Sequence, residues 1–355
     1  MSGVMNVIWF ILILGVIILV HEFGHLIAAK KFGVYCKEFS IGMGPKIWQR
    51  QKGETVWSIR ALPIGGYVAM VGEDSDDENE ELNIPYERTL NGIKPWKQII
   101  VMAAGAIMNV ILAWAIFIGI TAYQGSVPQL PEPIVSHVVE NSAAQKAGFA
   151  VGDEILALEN KEANKKLQPE STQDILEFLQ FYPGEVTYTV MRDHKEIQLV
   201  GTAEFDKEEN LYLLGIQYDR PAPKEITFLE AIPYGTQRMV DSVKGIMESL
   251  GKLVQGIGLN SLSGPVGIFQ ITAQTTQDGL ISTLSLVALL SVNVGIFNLI
   301  PIPILDGGRI FIILIELLIG KKLSEKVQTG IMFAGLIFII AIMLLATWND
   351  ITRLF

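Results

Sequence analysis

The sequence predicts a polytopic α-helical membrane protein with four transmembrane helices, a membrane-dipping β-hairpin and one α+β domain inserted outside the membrane. Half of the 355 residues are hydrophobic and the mean hydropathy is +0.38, which is typical of membrane proteins. A long polar stretch separates the second apolar stretch from the third. The apolar stretches long enough to cross a bilayer are residues 4–29, 98–123, 280–300 and 330–347.

The first apolar stretch is not expected to be a cleaved signal peptide. It lacks a basic residue before it, it is too long, and two histidines interrupt it. The stretches therefore predict a membrane core in two halves with soluble sequence between them. The predicted segments are 1–123 (first half of the core, with a cytoplasmic loop and the hairpin), 124–222 (inserted domain), 223–279 (amphipathic connector) and 280–355 (second half).

Two histidines and a glutamate, His21, Glu22 and His25, lie inside the first apolar stretch. An ionisable group at this depth costs about 2.5–3.5 kcal/mol, so three together indicate a function. The H-E-x-x-H spacing places both imidazoles on one helical face, where they can bind one zinc ion. Glu22 is then placed to take a proton from a water on that zinc. The alternative is a pair of packing histidines hydrogen-bonded to their neighbours.

Basic residues predict the orientation of the chain in the membrane. They concentrate in the loops that follow the first and third stretches, so both loops are expected in the cytoplasm. Both termini and residues 124–279 are then extracytoplasmic. The basic residues of these loops include Lys30, Lys31, Lys37, Lys46, Arg50, Lys52, Lys94, Lys97, Lys321, Lys322 and Lys326.

A second polar cluster follows the third apolar stretch, where Pro301 and Pro303 break the helix and Asp306 comes directly after. The first and third stretches both run inward, so Asp306 is expected at the depth of His21 and His25. Two imidazoles and a carboxylate make a zinc site with an open fourth position, one zinc per chain. The alternative for Asp306 is a turn or helix-cap residue.

The net charge of −10 says little about partners, because part of it comes from one acidic run, 73–81, interpreted as a solvated loop or a docking tail. No basic face for nucleic acid is visible. Cys36 is the single cysteine, so it cannot form an internal disulfide and is expected to be a buried or interfacial thiol.

These motifs together resemble the bacterial site-2 proteases, in the regulator-of-sigma-E-protease branch of the intramembrane zinc metalloproteases. The resemblance covers essentially the whole chain. The motifs that carry it are 21–25, 39–45, 65–68, 105–109, 262–267 and 298–308.

The resemblance implies an activity, a substrate class and a location. The activity is zinc-dependent hydrolysis of a peptide bond within the transmembrane segment of a single-span protein, in the bacterial cytoplasmic membrane. The substrate is expected to be an anti-sigma factor already trimmed outside by another protease, or a remnant signal peptide. The active site would lie near the cytoplasmic side.

A transmembrane substrate must unwind before its carbonyl can be attacked, and two features are expected to hold it. Residues 57–71 are interpreted as the hairpin, whose edge around Gly65, Gly66 and Tyr67 would pair with the substrate as an added strand. Asn298, beside Pro301 and Pro303, would bond substrate backbone, or alternatively hold the broken helix to a neighbour. Two further polar residues, Asn109 and Asn293, are interpreted as interhelical contacts.

The inserted domain alternates apolar and polar residues and is similar to one circularly permuted PDZ domain of roughly 90 residues. Leu214, Gly215 and Ile216 resemble the loop and edge strand that bind a peptide C-terminus. The alternative is a steric gate that excludes substrates with large outer domains. The predicted elements are strands at 134–139 and 152–158, helices at 142–148 and 173–181, and a hairpin of 186–192 with 196–202.

The connector has a helical period, interpreted as a helix lying on the membrane surface, capping the catalytic core or packing on the PDZ domain.

The sequence leaves three rival functions open: an inactive scaffold, a zinc transporter and a PDZ adaptor. A transporter would need polar residues at several depths, whereas here they cluster at one depth.

Overall fold

The computed structural model describes residues 3–73, 83–129, 131–169, 171–206, 211–219, 221–255 and 262–352. The chain forms two compact units, one of residues 1–124 with 227–355 and one of residues 125–226. All but the first residue of the acidic run lies outside the described residues.

The helices are α1 (Gly3–Lys31), α2 (Pro95–Gln124), α3 (Ala143–Ala147), α4 (Thr172–Phe181), α5 (Ala231–Val254), α6 (Pro265–Thr275), α7 (Leu280–Leu299), α8 (Asp306–Ile319) and α9 (Glu325–Thr352). The strands are β1 (Cys36–Lys52), β2 (Thr55–Met70), β3 (Ser126–Val127), β4 (Val135–Val138), β5 (Glu154–Asn160), β6 (Lys165–Leu167), β7 (Glu185–Arg192), β8 (Lys195–Thr202), β9 (Glu204–Asp206), β10 (Leu211–Leu213), β11 (Ile216–Tyr218) and β12 (Lys224–Glu225).

Four helices of the described residues, α1, α2, α7 and α9, are long and apolar enough to cross a membrane. They coincide with the four predicted stretches, so the expectation of a multi-pass membrane protein is confirmed. α7 ends one residue earlier than expected, because Ile300 leaves the helical conformation with ψ at 140°.

Small residues bring α1, α2 and α7 together. A Cβ added at Gly24 of α1 would lie 2.8 Å from the Ala104 carbonyl carbon of α2. A Cβ added at Gly295 of α7 would lie 3.0 Å from the Ala106 carbonyl oxygen. Both distances are shorter than an ordinary van der Waals contact, so only glycine allows this approach of the helix backbones.

The amphipathic helix α5 packs against the spans α2 and α7, in agreement with the interpretation of the connector as a cap on the catalytic core. A Cβ added at Gly235 would lie 2.6 Å from Ile118 Cα, so the two backbones nearly touch. Trp114 Nε1 donates to Thr236 Oγ1 at 2.8 Å. The apolar side chains of this contact are Met239, Val243 and Ile246 of α5 with Ala113, Phe117, Ala288 and Val292 of the spans.

The second helix of the connector, α6, begins against the end of α9. Asp350 of α9 is 2% exposed, and its Oδ2 accepts hydrogen bonds from the amides of Gly264 and Gly267 at 2.9 and 2.8 Å. A carboxylate at a helix N-terminus accepts hydrogen bonds from the free amides there, and its negative charge is attracted to the positive end of the helix dipole. The 262–267 motif therefore fastens α6 to the fourth span.

The sheet of β1 and β2 corrects the predicted hairpin. Residues 57–71 do not pair with one another; β2 pairs with β1, a segment upstream of the expected hairpin. Residues 38–41 of β1 pair both with 66–69 and with 56–59, with several register shifts. Such register shifts bend a strand. The bend lets two segments of β2, residues 56–59 and 66–69, both pair with the same residues of β1.

A charged cluster stabilises this sheet around Glu38, which is 8% exposed. Its carboxylate accepts from Ser58 Oγ at 2.5 Å and Arg60 Nη2 at 2.9 Å, and Lys46 Nζ lies 3.2 Å away. Burial opposes ionisation, but these partners outweigh it and lower the pKa of Glu38 to about 2. Cys36, at the start of β1, is 1% exposed, and burial raises the pKa of its thiol to about 12.

The unit of residues 125–226 has its own apolar core. Its four-stranded antiparallel sheet has the order β6-β5-β7-β8, and β4 pairs with β11. The helix α3 is capped by Ser142 and ends at Gly148, which has a φ of +87°. The expected strands, helices and hairpin of this region are all present, with ends shifted by one or two residues. The core includes Val135, Leu158, Ile175, Val186 and Tyr188.

An ion pair fixes one end of this core. Asp153 is fully buried and accepts from Arg192 Nε and Nη2, both at 2.6 Å. Burial opposes ionisation of this carboxyl, but the bonds from Arg192 and from the Ala150 amide lower its pKa.

Candidate metal centre

Two histidines of one helix and a carboxylate that lies far from them in sequence meet in the membrane unit. The Nε2 atoms of His21 and His25 lie 3.2 Å apart, and Asp306 Oδ2 lies 3.0 Å from the first and 3.3 Å from the second. Both imidazoles are buried, at 7% and 5% exposure, and the carboxylate is mostly buried. The prediction that these three residues come together is confirmed.

Local chain geometry explains how each group reaches this point. His21 and His25 are one turn apart on α1, so their rings share a face. Asp306 is the first residue of α8, after an irregular segment that contains both prolines. The segment folds back on the helix start: a Cβ added at Gly308 would lie 2.7 Å from Pro303 Cα. Ile304 adopts a φ of +87° within the segment.

The helix α2 faces the two imidazoles with three residues spaced one turn apart, Val101, Gly105 and Asn109. The carbonyl of Val101 lies 2.8 Å from His25 Nδ1, so this nitrogen donates and Nε2 keeps its lone pair. A Cβ added at Gly105 would lie 2.7 Å from His21 Cε1. Asn109 Nδ2 lies 3.4 Å from His21 Nδ1.

The donor set fits a zinc ion. Asp306 Oδ2 is buried and has no hydrogen-bond partner of acceptable geometry, although two ring nitrogens lie within 3.3 Å. Two ring nitrogens and a carboxylate oxygen that converge in this way form a donor set for a cation. Ligands at about 2.0–2.1 Å from a tetrahedral zinc are about 3.3 Å from one another. The observed separations of 3.0, 3.2 and 3.3 Å match that edge length.

Glu22 lies beside the ligands and against the sheet. Its Oε2 accepts from the Val68 amide of β2 at 3.2 Å. A Cβ added at Gly66 would lie 2.8 Å from the Ser40 carbonyl and 3.9 Å from Glu22 Cγ. The strand around Gly66 therefore runs next to the carboxylate, and a side chain at this position would separate β2 from β1.

The other predicted substrate-binding residues have different surroundings. Tyr67 Oη accepts from Arg60 Nη2 at 2.5 Å, which ties it to the cluster around Glu38. Asn298 Nδ2 donates to the Val294 carbonyl at 2.9 Å, so its amide bonds its own helix in this structure. Gly65 has a φ of +83° and is half-buried in β2.

One contact at the site escaped the sequence analysis. Arg309, three residues after Asp306, donates to the Glu73 carbonyl from Nη2 at 2.6 Å, and its Nη1 lies 3.1 Å from Glu73 Oε1. This pair links the first turn of α8 to the residue that follows the β1–β2 sheet. The signal for this contact in the sequence was a basic residue directly after Asp306-Gly307-Gly308.

The candidate peptide-binding segment lies in the other unit. Leu214 is buried in the core, and its carbonyl accepts from the Ala144 amide at 2.7 Å. Gly215 has a φ of +87°, and a Cβ there would meet Ser142 Oγ at 2.7 Å. Ile216 begins β11, whose partner among the described strands is β4.

Comparison with known proteins supplies independent evidence. The model of peptidase family M50 matches residues 9–342. The regulator of sigma-W protease RasP of Bacillus subtilis (strain 168) is 34% identical over 99% of both chains. The zinc metalloprotease RasP of Bacillus licheniformis has the same identity and coverage. A putative zinc metalloprotease of Clostridium acetobutylicum is 33% identical over 98% of this chain and 97% of its own.

Proposed function

Because this chain belongs to peptidase family M50 and is a zinc metalloprotease, we propose that it cleaves single-span membrane proteins within their transmembrane segments. His21, His25 and Asp306 hold the zinc, and Glu22 is the general base. The observation that carries the proposal is the convergence of three donor atoms at the end of a membrane-spanning helix. A hydrolytic site at that depth acts on a bond inside the membrane.

Hydrolysis requires a polarised carbonyl, an activated water and a proton for the leaving amine. When bound, zinc supplies the Lewis acidity that polarises the carbonyl and makes a water acidic near neutral pH. Glu22 takes the proton of the attacking water and later gives it to the amine nitrogen as the C–N bond breaks. Because the Val68 amide bonds one carboxylate oxygen, Glu22 has a fixed orientation for both transfers.

The sheet presents the substrate to this machinery in an extended form. Helical substrate carbonyls are tied up in hydrogen bonds, so the scissile bond must leave the helix first. The strand 65–68 lies against Glu22 and can accept an added strand. Pro301 and Pro303 keep the facing segment non-helical, and Asn298 can exchange its bond to Val294 for one to substrate.

The name of one relative bears on the substrate class that we propose. The Bacillus subtilis protein is named a regulator of sigma-W protease, which supports a membrane-anchored anti-sigma factor as the substrate class. Prior trimming of that substrate by another protease is part of the proposal and rests on the family resemblance alone. Remnant signal peptides have the same single-span form and are the second class.

The orientation and the second unit belong to the same proposal. The protein is a multi-pass component of the bacterial cytoplasmic membrane, with the termini and residues 125–226 outside and the active site near the cytoplasmic side. The outer unit is a PDZ domain, since a capped short helix, a second helix and antiparallel strands follow in the expected order. It acts as a steric gate, or binds a trimmed C-terminus at Leu214, Gly215 and Ile216.

Cleavage of a single-span test substrate by the purified protein in detergent tests the proposal, with products located by mass spectrometry. We expect cleavage inside the span that a zinc chelator abolishes. Glu22→Gln should keep zinc but lose activity, and Asp306→Asn should lose both. Glu54→Gln, an exposed glutamate of the sheet, is the matched control. Cleavage outside the span, or activity of Glu22→Gln within a few-fold of wild type, would contradict the proposal.

A further inference from the structure

Asn109 is a fully buried amide on α2 whose neighbours do not satisfy it. Its Nδ2 lies 3.4 Å from His21 Nδ1, while its Oδ1 is buried without a hydrogen-bond partner. Among the described residues, this amide is the hydrogen-bonding neighbour of His21 Nδ1. The orientation of the amide therefore decides which nitrogen of His21 carries the proton.

In the orientation with Nδ2 towards the ring, Asn109 donates and His21 Nδ1 accepts. The proton of a neutral His21 then sits on Nε2 and points at His25 Nε2 and Asp306 Oδ2, 3.2 and 3.0 Å away. A protonated Nε2 cannot bind a metal. This orientation is therefore incompatible with metal binding through His21 Nε2.

Rotating the amide by 180° exchanges its two terminal atoms within the same volume. Oδ1 then accepts from His21 Nδ1–H, the buried oxygen gains a partner, and Nε2 keeps the lone pair that a metal requires. His25 already has this arrangement, because its Nδ1 donates to the Val101 carbonyl at 2.8 Å. Val101 and Asn109 are two turns apart on the face of α2 that meets the imidazoles.

We propose that Asn109 is a positioning residue that accepts a hydrogen bond from His21 Nδ1–H and so holds His21 in the zinc-binding tautomer. Hydrogen bonds to the second nitrogen of metal-ligating histidines fix their orientation, and losing one typically lowers affinity 10–100-fold. The inference rests on the proposed role of His21 as a ligand. Asn109 also joins α2 to α1, as its interpretation as an interhelical contact predicts.

The backbone around Asn109 is held independently of its side chain. Ser291 Oγ of α7 donates to the Asn109 carbonyl at 2.8 Å, and that bond survives any substitution at position 109. A Leu side chain has a similar volume to Asn and lacks both polar atoms. An Asp side chain keeps an oxygen acceptor and loses the amide donor.

The test measures zinc affinity of the purified full-length protein by competition with a chromophoric chelator, without substrate. We expect Asn109→Leu to bind zinc 10–100-fold more weakly and Asn109→Asp to stay within about threefold of wild type. Asn293→Leu removes an amide that bonds its own helix, and should bind like wild type. The cobalt-substituted protein should show a shifted visible spectrum in Asn109→Leu and a wild-type-like spectrum in Asn109→Asp.

Two results would overturn the inference. The first is wild-type zinc affinity in Asn109→Leu. The second is zinc binding by Asn109→Asp that is weakened as much as in Asn109→Leu, which would show that the amide donor or the packing of the side chain matters rather than the oxygen acceptor. His21→Ala separates this failure from failure of the proposed function. If wild type binds zinc and His21→Ala binds equally well, the ligand assignment itself is wrong.

Discussion

Gly105→Ala should disable the metal centre by adding a single methyl group. Gly105 faces both imidazoles from α2, and the added Cβ would lie 2.7 Å from His21 Cε1 and 2.8 Å from His21 Nε2. It would also meet His25 Nε2. The methyl group would therefore occupy the space next to the two nitrogen atoms that are proposed to bind the metal.

The size of the effect follows from these distances. Carbon contacts are normally about 3.5–4.0 Å, so His21 must retreat by about 1 Å or α1 must move away from α2. Overpacking of this kind costs about 1–3 kcal/mol of stability. Metal–ligand distances tolerate about 0.2 Å, so we expect zinc affinity to fall about tenfold or more. Catalytic misplacement of about 1 Å should lower kcat about 100-fold.

Chelator competition and cleavage of a single-span substrate measure the two effects. Gly119→Ala is the matched control, because it lies on the same helix and its added Cβ meets nothing within 4 Å. Gly119→Ala should leave zinc affinity and kcat unchanged. Replacing a helical glycine by alanine should also stabilise the helix by up to about 1 kcal/mol. Wild-type zinc affinity and kcat in Gly105→Ala would refute the proposed packing of α2 on the imidazoles.

Three further predictions concern groups outside the metal centre. Asp153→Asn should lower the stability of the 125–226 unit by about 1–3 kcal/mol at pH 7, because Arg192 loses its charged partner. Since the pKa of Asp153 is lowered in the folded state, this stabilisation is present at neutral pH and is lost as the pH falls below about 4; calorimetry should show the wild type and variant converging there. Cys36 should resist maleimide at pH 8 until the protein is denatured, since its thiol is buried and its pKa is raised to about 12; rapid labelling of the folded protein would contradict the packing of β1. Asp350→Leu should lower the thermal midpoint in detergent, because it leaves two buried amides of α6 without an acceptor at about 1–3 kcal/mol, whereas Asp350→Glu should lower it less.

The sequence predicted the parts of the fold that rest on composition and on regular spacing. The four spans follow from apolar length alone, and the shared face of His21 and His25 follows from helix geometry. Asp306 could be added because the orientation of the spans placed it at the same depth. The turn signals of the inserted unit, such as the glycine after α3, also marked its elements to within two residues.

Contacts between distant segments were less predictable. The strand partner of β2 was missed, because β1 contains Gly42, Gly44 and Pro45 and does not alternate in the manner of a strand. Asn109 was interpreted as an interhelical contact, and its amide does face α1; that it lies against the His21 ring depends on packing at Gly24 and Gly105. The sequence offers no signal for which polar group lies against which nitrogen.

The candidate metal ligands come from both halves of a discontinuous unit, with about 280 residues between His25 and Asp306. A bound ion would thus cross-link the two membrane halves, and the whole 125–226 unit lies within the loop that it would close. The catalytic centre should then stay intact even if the chain is cut within residues 125–226. A chain nicked in that unit should remain one particle while metal is bound, and a chelator should favour separation of the fragments.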